Sequence, residues 1–176
     1  TPAALQAIEK ADYIILGPGD IFTTTLPNVV VGGMKNALKK AKGKVIYITN
    51  LTSKKGQTTG RTQQDCLNII EKYIGRKVDY ILINNGKLPE KTYARYIEKG
   101  QYIIDDDIVD SDVRCKAIRA DFVATTPIKK DKGDTLERSL IRHDSEKLTR
   151  ELYKIFTSDR SRVGNLIRSF LSYYKN

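Results

Sequence analysis

The sequence has few of the residues on which disulfide-rich, metal-binding and membrane-spanning proteins depend. Its 176 residues include two cysteines, one histidine, one methionine and no tryptophan. Cys66 and Cys115 make neither a disulfide framework nor a cluster of metal ligands. No apolar run approaches the ~18 residues of a membrane-spanning helix. We therefore expect a cytoplasmic protein with no metal site and no membrane partner.

Acidic residues are also scarce relative to basic ones. The chain has 31 Lys and Arg against 21 Asp and Glu, which gives a formal net charge of +10. Such a surplus favours anionic partners in general, but it does not distinguish nucleic acid, membrane and small phosphates. No nucleic-acid-binding motif accompanies the charge, so we do not expect nucleic acid as a partner. Whether the chain forms a homo-oligomer stays open.

The first half of the sequence alternates apolar runs with amphipathic stretches. Residues 12–16, 44–49 and 78–83 are short apolar runs that predict strands buried on both faces. Apolar residues at helical spacing predict a helix that ends near Gly43 and a second helix capped by Thr62. This order predicts an α/β fold, a Rossmann-like parallel sheet with helices on both faces.

The middle of the chain predicts a helix and two short strands. Pro89 marks the start of a helix whose inner face carries Tyr93, Tyr96 and Ile97. Short strands are predicted at residues 102–104 and within residues 115–124.

The C-terminal part predicts two helices. Asp144 caps the first, and residues 158–176 predict a basic amphipathic helix with a 3.6-residue apolar stripe. Such a helix can lie on a membrane or nucleic acid, but we prefer a surface helix packed by its stripe. We expect residues 1–176 to form a single α/β domain, and because the chain begins at Thr1, to be part of a longer protein.

A glycine-rich loop follows the first predicted strand, at residues 17–25. Gly17 and Gly19 allow the backbone to approach a ligand closely. The hydroxyls of Thr23 and Thr24, with the N–H groups at the next helix start, could grip a phosphate. The alternative is a tight strand-to-helix turn, since Gly-x-Gly alone is a weak signal.

A second polar loop, residues 50–60, follows the second predicted strand. It holds two glycines, two lysines and four hydroxyl side chains, and it is longer than the ~2–6 residues usual for such connections. Both loops leave parallel strands, so we expect them at the same edge of the sheet. The alternative is a surface excursion without a binding role.

Other residues that can carry chemistry are more isolated. His143 titrates near neutrality in free form, but no nucleophile motif accompanies it, so we prefer a structural or ligand-contacting role to catalysis. Cys66 lies on an apolar helix face and is interpreted as core. A run of acids could hold a divalent cation, yet it lacks calcium-loop spacing and is better interpreted as a polar loop. It comprises Asp105, Asp106, Asp107, Asp110 and Asp112.

Several strings together resemble the YvcK family, the gluconeogenesis factors of the CofD-like superfamily. Residues 11–28 are similar to its ADxIxxGPGSLYTS string with a following proline-asparagine pair, and residues 50–60 to its NLMTQxGETxG loop. Residues 96–100 and 142–148 look like its Y-x-x-E-G and RHDxxKL patterns. The transferase branch generally lacks the RHD pattern, which favours the YvcK branch. The resemblance places this chain in roughly the C-terminal half of a YvcK/CofD-like domain.

The resemblance implies a binding and regulatory protein. Its ligand would be a nucleotide sugar, typically UDP-N-acetylglucosamine, with no other cofactor, and its role would link carbon metabolism to cell-wall synthesis and cell shape. The alternative is a CofD-like transferase, of the 2-phospho-L-lactate transferase type, acting on a nucleotide-activated donor. Asp20 stands where the family has serine, and an acid there would repel a phosphate. The candidate ligand-binding residues are Gly17, Gly19, Thr23, Thr24, Asn28, Asn50, Thr52, Gly56, Thr58, Tyr96, Arg142 and His143.

Overall fold

The computed structural model describes residues 1–110, 115–125 and 140–158. These residues fall into two compact units, one ending at His143 and the other beginning at Asp144. Of the predicted helix 158–176, residues 159–176 lie outside the described residues. The expectation of a single domain stays a prediction.

The first unit is built on a four-stranded parallel sheet. Its strands are β1 (Tyr13–Leu16), β2 (Lys44–Ile48), β3 (Tyr80–Asn84) and β4 (Lys116–Ala120), in the order β1-β2-β3-β4. Each neighbouring pair runs parallel. The prediction of a parallel α/β fold is therefore confirmed.

Helices connect and flank these strands. The first unit contains α1 (Pro2–Lys10), α2 (Leu26–Val29), α3 (Met34–Lys40), α4 (Gln63–Ile74) and α5 (Glu90–Glu98), and a π-helical segment, Ile21–Thr25, leads into α2. The second unit contains α6 (Ser145–Ser158). Within the described ranges, no helix has the length and apolar character that crossing a membrane requires.

The core lies between one face of the sheet and the crossover helices. Val45 and Tyr47 of β2 and Ile81 and Ile83 of β3 point to this face and are almost fully buried. They pack in one cluster with residues of α4, among them Cys66, which confirms its interpretation as core. On the opposite face the next residues along β2 and β3 are also buried, which explains why these strands are continuous apolar runs rather than alternating ones.

Two predicted helix caps are present. The Thr62 hydroxyl accepts a hydrogen bond from the Asp65 N–H at 3.2 Å, and the Asp65 carboxylate accepts one from the Thr62 N–H at 3.2 Å, which together form a capping box at the start of α4. In the second unit, Asp144 Oδ1 accepts from the N–H groups of Glu146 and Lys147, both at 3.0 Å.

The structure differs from the sequence-based expectations at three places. Residues 102–104 do not form a strand, because Ile103 makes only an isolated antiparallel bridge to Thr52 in the loop after β2. Ile97 was expected on the inner face of α5 but is 44% exposed. Helix α1 was not predicted, although Thr1 caps it and Pro2 occupies its first position, which is a usual helix-start signal.

Thr62→Ala should lower the free energy of unfolding by about 1 kcal/mol, because the first turn of α4 loses a hydrogen-bond acceptor. Chemical denaturation of the full protein measures this. The control is Thr149→Ala, at an exposed position inside α6, where alanine should not lower stability. Equal losses in both variants would contradict a specific capping role.

Candidate ligand-binding site

A cavity of about 780 Å³ opens in the first unit at the carboxyl edge of the sheet. The loops after β1 and β2 both line it, which is the arrangement expected for neighbouring parallel strands. Its volume lies within the range of small-molecule sites. The lining comprises residues 18–20, residues 50–54, Arg95, Tyr96, Lys99, Gln101 and residues 140–143.

The two glycines of the first loop let the chain turn closely against its neighbours. Gly17 has a φ of +89°, and a Cβ atom there would lie 2.6 Å from the carbonyl oxygen of Ile48. A Cβ atom at Gly19 would lie 3.0 Å from the Thr24 side chain. Gly19 lines the cavity, whereas Gly17 shapes the turn behind it. Gly17 therefore serves a tight turn, and a ligand contact of either glycine stays a prediction.

The remaining candidates from the first loop lie outside the cavity lining. The side chains of Thr23 and Thr24 are exposed, and neither lines the cavity. Asn28 is also exposed, and its Nδ2 donates to the Thr24 carbonyl at 2.7 Å. None of these three side chains is among the residues that line the cavity, and the Thr24 side chain packs beside Gly19 instead.

The second loop contributes Asn50 and Thr52 to the cavity, while Gly56 and Thr58 shape a turn. Thr58 is buried, and its hydroxyl accepts a hydrogen bond from the Lys54 N–H at 2.8 Å. The Lys54 carbonyl accepts in return from the Thr58 N–H at 2.9 Å. Gly56 lies within this turn at a φ of +78°. The turn fixes Lys54 at the point where it lines the cavity.

The start of the second loop is tied to the segment after α5. Ser53 N–H donates to the Tyr102 carbonyl at 2.7 Å, and the Ser53 hydroxyl accepts from the Tyr102 N–H at 2.9 Å. The Tyr93 hydroxyl accepts from the next N–H, that of Ile103, at 3.1 Å. These bonds hold one wall of the cavity against α5.

Tyr96 supports the wall that carries Arg142 and His143. Its hydroxyl accepts hydrogen bonds from the N–H groups of Leu140 and Ile141, at 2.9 and 3.1 Å. Its ring also packs against a small apolar cluster that includes Ile141. Tyr96 therefore lines the cavity and is partly core, so the two interpretations of this residue do not exclude each other.

His143 faces the cavity in its neutral form. Its Nε2 lies 3.0 Å from the carbonyl oxygen of Thr49, and since a carbonyl only accepts, Nε2 carries the hydrogen. Burial lowers the pKa of His143 to about 4, although the Thr49 hydrogen bond acts in the opposite direction. A histidine that stays neutral at physiological pH favours a structural or ligand-contacting role.

Basic side chains surround the cavity. Lys54, Arg95, Lys99 and Arg142 line it, and Asp20 is the one acidic residue among the described lining residues. Sequence reasoning selected only Arg142 from this set. Arg95 and Lys99 are four residues apart beside Tyr96, and this helical spacing was a signal that could have found them. A cleft lined mainly by one sign of charge attracts anions.

Asn50 has a buried side-chain oxygen, Oδ1, that accepts no hydrogen bond from the described residues, yet the residue lines the cavity. A buried acceptor without a partner is costly. The residue therefore contributes to the lining, while its Oδ1 lies behind the cavity surface.

Three carboxylates of the acidic run at residues 105–112 contact other residues of the protein. Asp106 and Asp110 form ion pairs with Arg119, at 2.6 and 2.9 Å. Asp107 Oδ1 accepts from the Gln64 N–H at 2.9 Å, near the start of α4. In the described part of the chain, no group of three or more His, Cys, Asp or Glu residues is placed to hold a metal ion. Asp112 lies outside the described residues.

Comparison with known proteins gives the family. The family model described as "2-phospho-L-lactate transferase CofD" matches residues 1–123, more than half of the chain. The chain belongs to the CofD family. Within this CofD-family chain, the matched residues include the loops after β1 and β2 and all of α5.

Curated relatives of this CofD-family chain carry the name "Putative gluconeogenesis factor", as the resemblance to the YvcK branch predicts. The protein from Thermotoga maritima is 36% identical over 88% of this chain, and the one from Clostridium acetobutylicum is 33% identical over 84%. The chain spans 47% and 31% of their respective lengths.

A solved structure is also similar. A crystal structure of a member of the UPF0052 family from Bacillus halodurans has a TM-score of 0.73 and 27% sequence identity, over 86% of this chain and 45% of that one. This likeness confirms the predicted fold class.

His143 is the only histidine of these 176 residues, so its imidazole can be followed alone by NMR in this chain. We expect its resonance to keep the neutral-form shift as the pH falls from 7 to 5. Because the folded pKa of about 4 lies below the ordinary value of about 6.5, the unfolded chain takes up the proton first. Stability should therefore fall as the pH decreases from about 6.5 to about 4. Titration of the resonance near pH 6.5 would contradict the buried, hydrogen-bonded placement.

Proposed function

We propose that this chain is part of a protein that binds a nucleotide sugar of the UDP-N-acetylglucosamine type in the cavity. The observation that carries the proposal is the set of four basic side chains around a cavity at the carboxyl edge of a parallel sheet. Open α/β sheets bind phosphorylated ligands at this edge. The bound nucleotide sugar acts as a signal of carbon supply to cell-wall synthesis and cell shape.

The lining suits the parts of such a ligand. Arg142 has a planar guanidinium that can bind a diphosphate through two parallel donors. Arg95 of α5 and Lys99, the residue after α5, add positive charge. The ring of Tyr96 provides a flat surface on which a base or sugar can pack.

A transferase is the second candidate. It is supported by the description of the matching family model, a 2-phospho-L-lactate transferase. The regulatory role is supported by the name of the curated relatives, a gluconeogenesis factor. Because the chain spans about half the length of those relatives or less, both candidates concern the full protein.

Arg142→Ala in the full protein should weaken UDP-N-acetylglucosamine binding by about tenfold or more, since a hydrogen bond to a charged group is lost. Isothermal titration calorimetry measures the affinity. The melting temperature should stay nearly unchanged. Arg150→Ala, an exposed arginine of α6, removes the same charge elsewhere and should bind normally. Normal affinity in Arg142→Ala would remove the main residue-level support for the site.

Long incubation separates regulation from transfer. A regulatory protein should return UDP-N-acetylglucosamine unchanged, which chromatography of the small molecules detects. With a hydroxyl acceptor supplied, breakdown of the nucleotide sugar with the transferred group recovered on the acceptor, lost in Arg142→Ala, would favour the transferase instead.

A further inference from the structure

Asp20 gives the cavity a negative charge. Its Oδ2 lies 3.8 Å from the Nζ of Lys54. The two side chains are 33% and 48% exposed, so both remain accessible from the cavity. This pair joins the loop after β1 to the loop after β2.

The Asp20 carboxylate is not used for helix capping. Asp20 directly precedes the π-helical segment, and its backbone carbonyl accepts from the N–H groups of Thr24 and Thr25, at 2.9 and 3.0 Å. Aspartate at such a position commonly caps with its side chain, but here the side chain makes no capping hydrogen bond. The carboxylate points instead toward Lys54.

The ion pair is weak in itself. Hydrogen bonds to Thr58 hold the backbone of Lys54, and the N–H groups of Thr24 and Thr25 hold the Asp20 carbonyl, so the two backbones are fixed while the side chains are not. At 3.8 Å the pair is longer than a hydrogen bond, and a partly exposed ion pair adds little stability. An anionic ligand can therefore open it.

We propose that Asp20 determines which phosphates the site accepts. In the free protein the Asp20 carboxylate pairs with the Lys54 ammonium. A phosphate that binds this lysine must displace the carboxylate. Repulsion grows with ligand charge, and a terminal phosphate carries about −1.5 to −2, whereas each bridged phosphate of a nucleotide sugar carries one negative charge. Asp20 thus favours diphosphates substituted at both ends over those with a free end. This inference rests on the proposed function and deepens it.

The test uses the full protein, as wild type, Asp20→Asn and Asp12→Asn. Asp12 is exposed and precedes β1, at the opposite edge of the sheet, so its variant makes the same charge change away from the cavity. The probes are UDP-N-acetylglucosamine, UDP and inorganic pyrophosphate, titrated by calorimetry at low salt. Asp20→Asn should tighten UDP and pyrophosphate binding about tenfold and UDP-N-acetylglucosamine binding about threefold, from a unit charge removed within several ångströms. Asp12→Asn should change none of the affinities.

A double variant tests the role of Lys54. The tightening caused by Asp20→Asn should shrink when Lys54→Ala is also present, because the lysine that the carboxylate held is then missing. An undiminished gain in that background would overturn the proposed displacement from Lys54.

The outcomes separate this proposal from the proposed function. Unchanged or weaker UDP binding in Asp20→Asn, or equal tightening of all three probes, overturns the role of Asp20 in selection. Selective tightening of UDP and pyrophosphate binding supports the role of Asp20. A wild-type preference for UDP over UDP-N-acetylglucosamine would overturn the nucleotide-sugar function alone and would leave the role of Asp20 standing. Failure of all three probes to bind either protein overturns both.

Discussion

The parallel pairing of β1 with β2 is the constraint on which the site depends. Because the two strands are neighbours and run in the same direction, the loops that follow them leave the sheet at the same edge. Gly17 makes this arrangement possible, since its missing side chain leaves room for the Ile48 carbonyl at the end of β2. The cavity lining then follows from where these two loops and α5 meet.

The strands β1 to β3 and helix α4 could be predicted from the sequence because their signals are local. A strand buried on both faces shows itself as a run such as Lys44–Ile48, and a capped helix as Thr62 with Asp65. These signals depend on residues a few positions apart. The predicted strand at residues 102–104 failed for the opposite reason: its partner, Thr52, lies in a distant loop, and the contact is a single bridge.

The site could be predicted only in part. The loops after β1 and β2 follow from the strand order, but the direction of each side chain does not. Thr23 and Thr24 have the right chemistry, yet neither lines the cavity. Lys54 lines the cavity beside the turn closed by Thr58, which is a property of the folded chain, whereas the four-residue spacing of Arg95 and Lys99 was a local signal that could have found them.

The hydroxyl of Tyr96 in α5 limits which residues can replace this tyrosine. One oxygen atom of Tyr96 supports two successive backbone N–H groups at Leu140 and Ile141, 44 and 45 positions along the chain. Phenylalanine could fill the same space but would leave both donors without this acceptor. The Tyr96 hydroxyl therefore supports the wall that carries Arg142 and His143 whichever ligand the cavity holds.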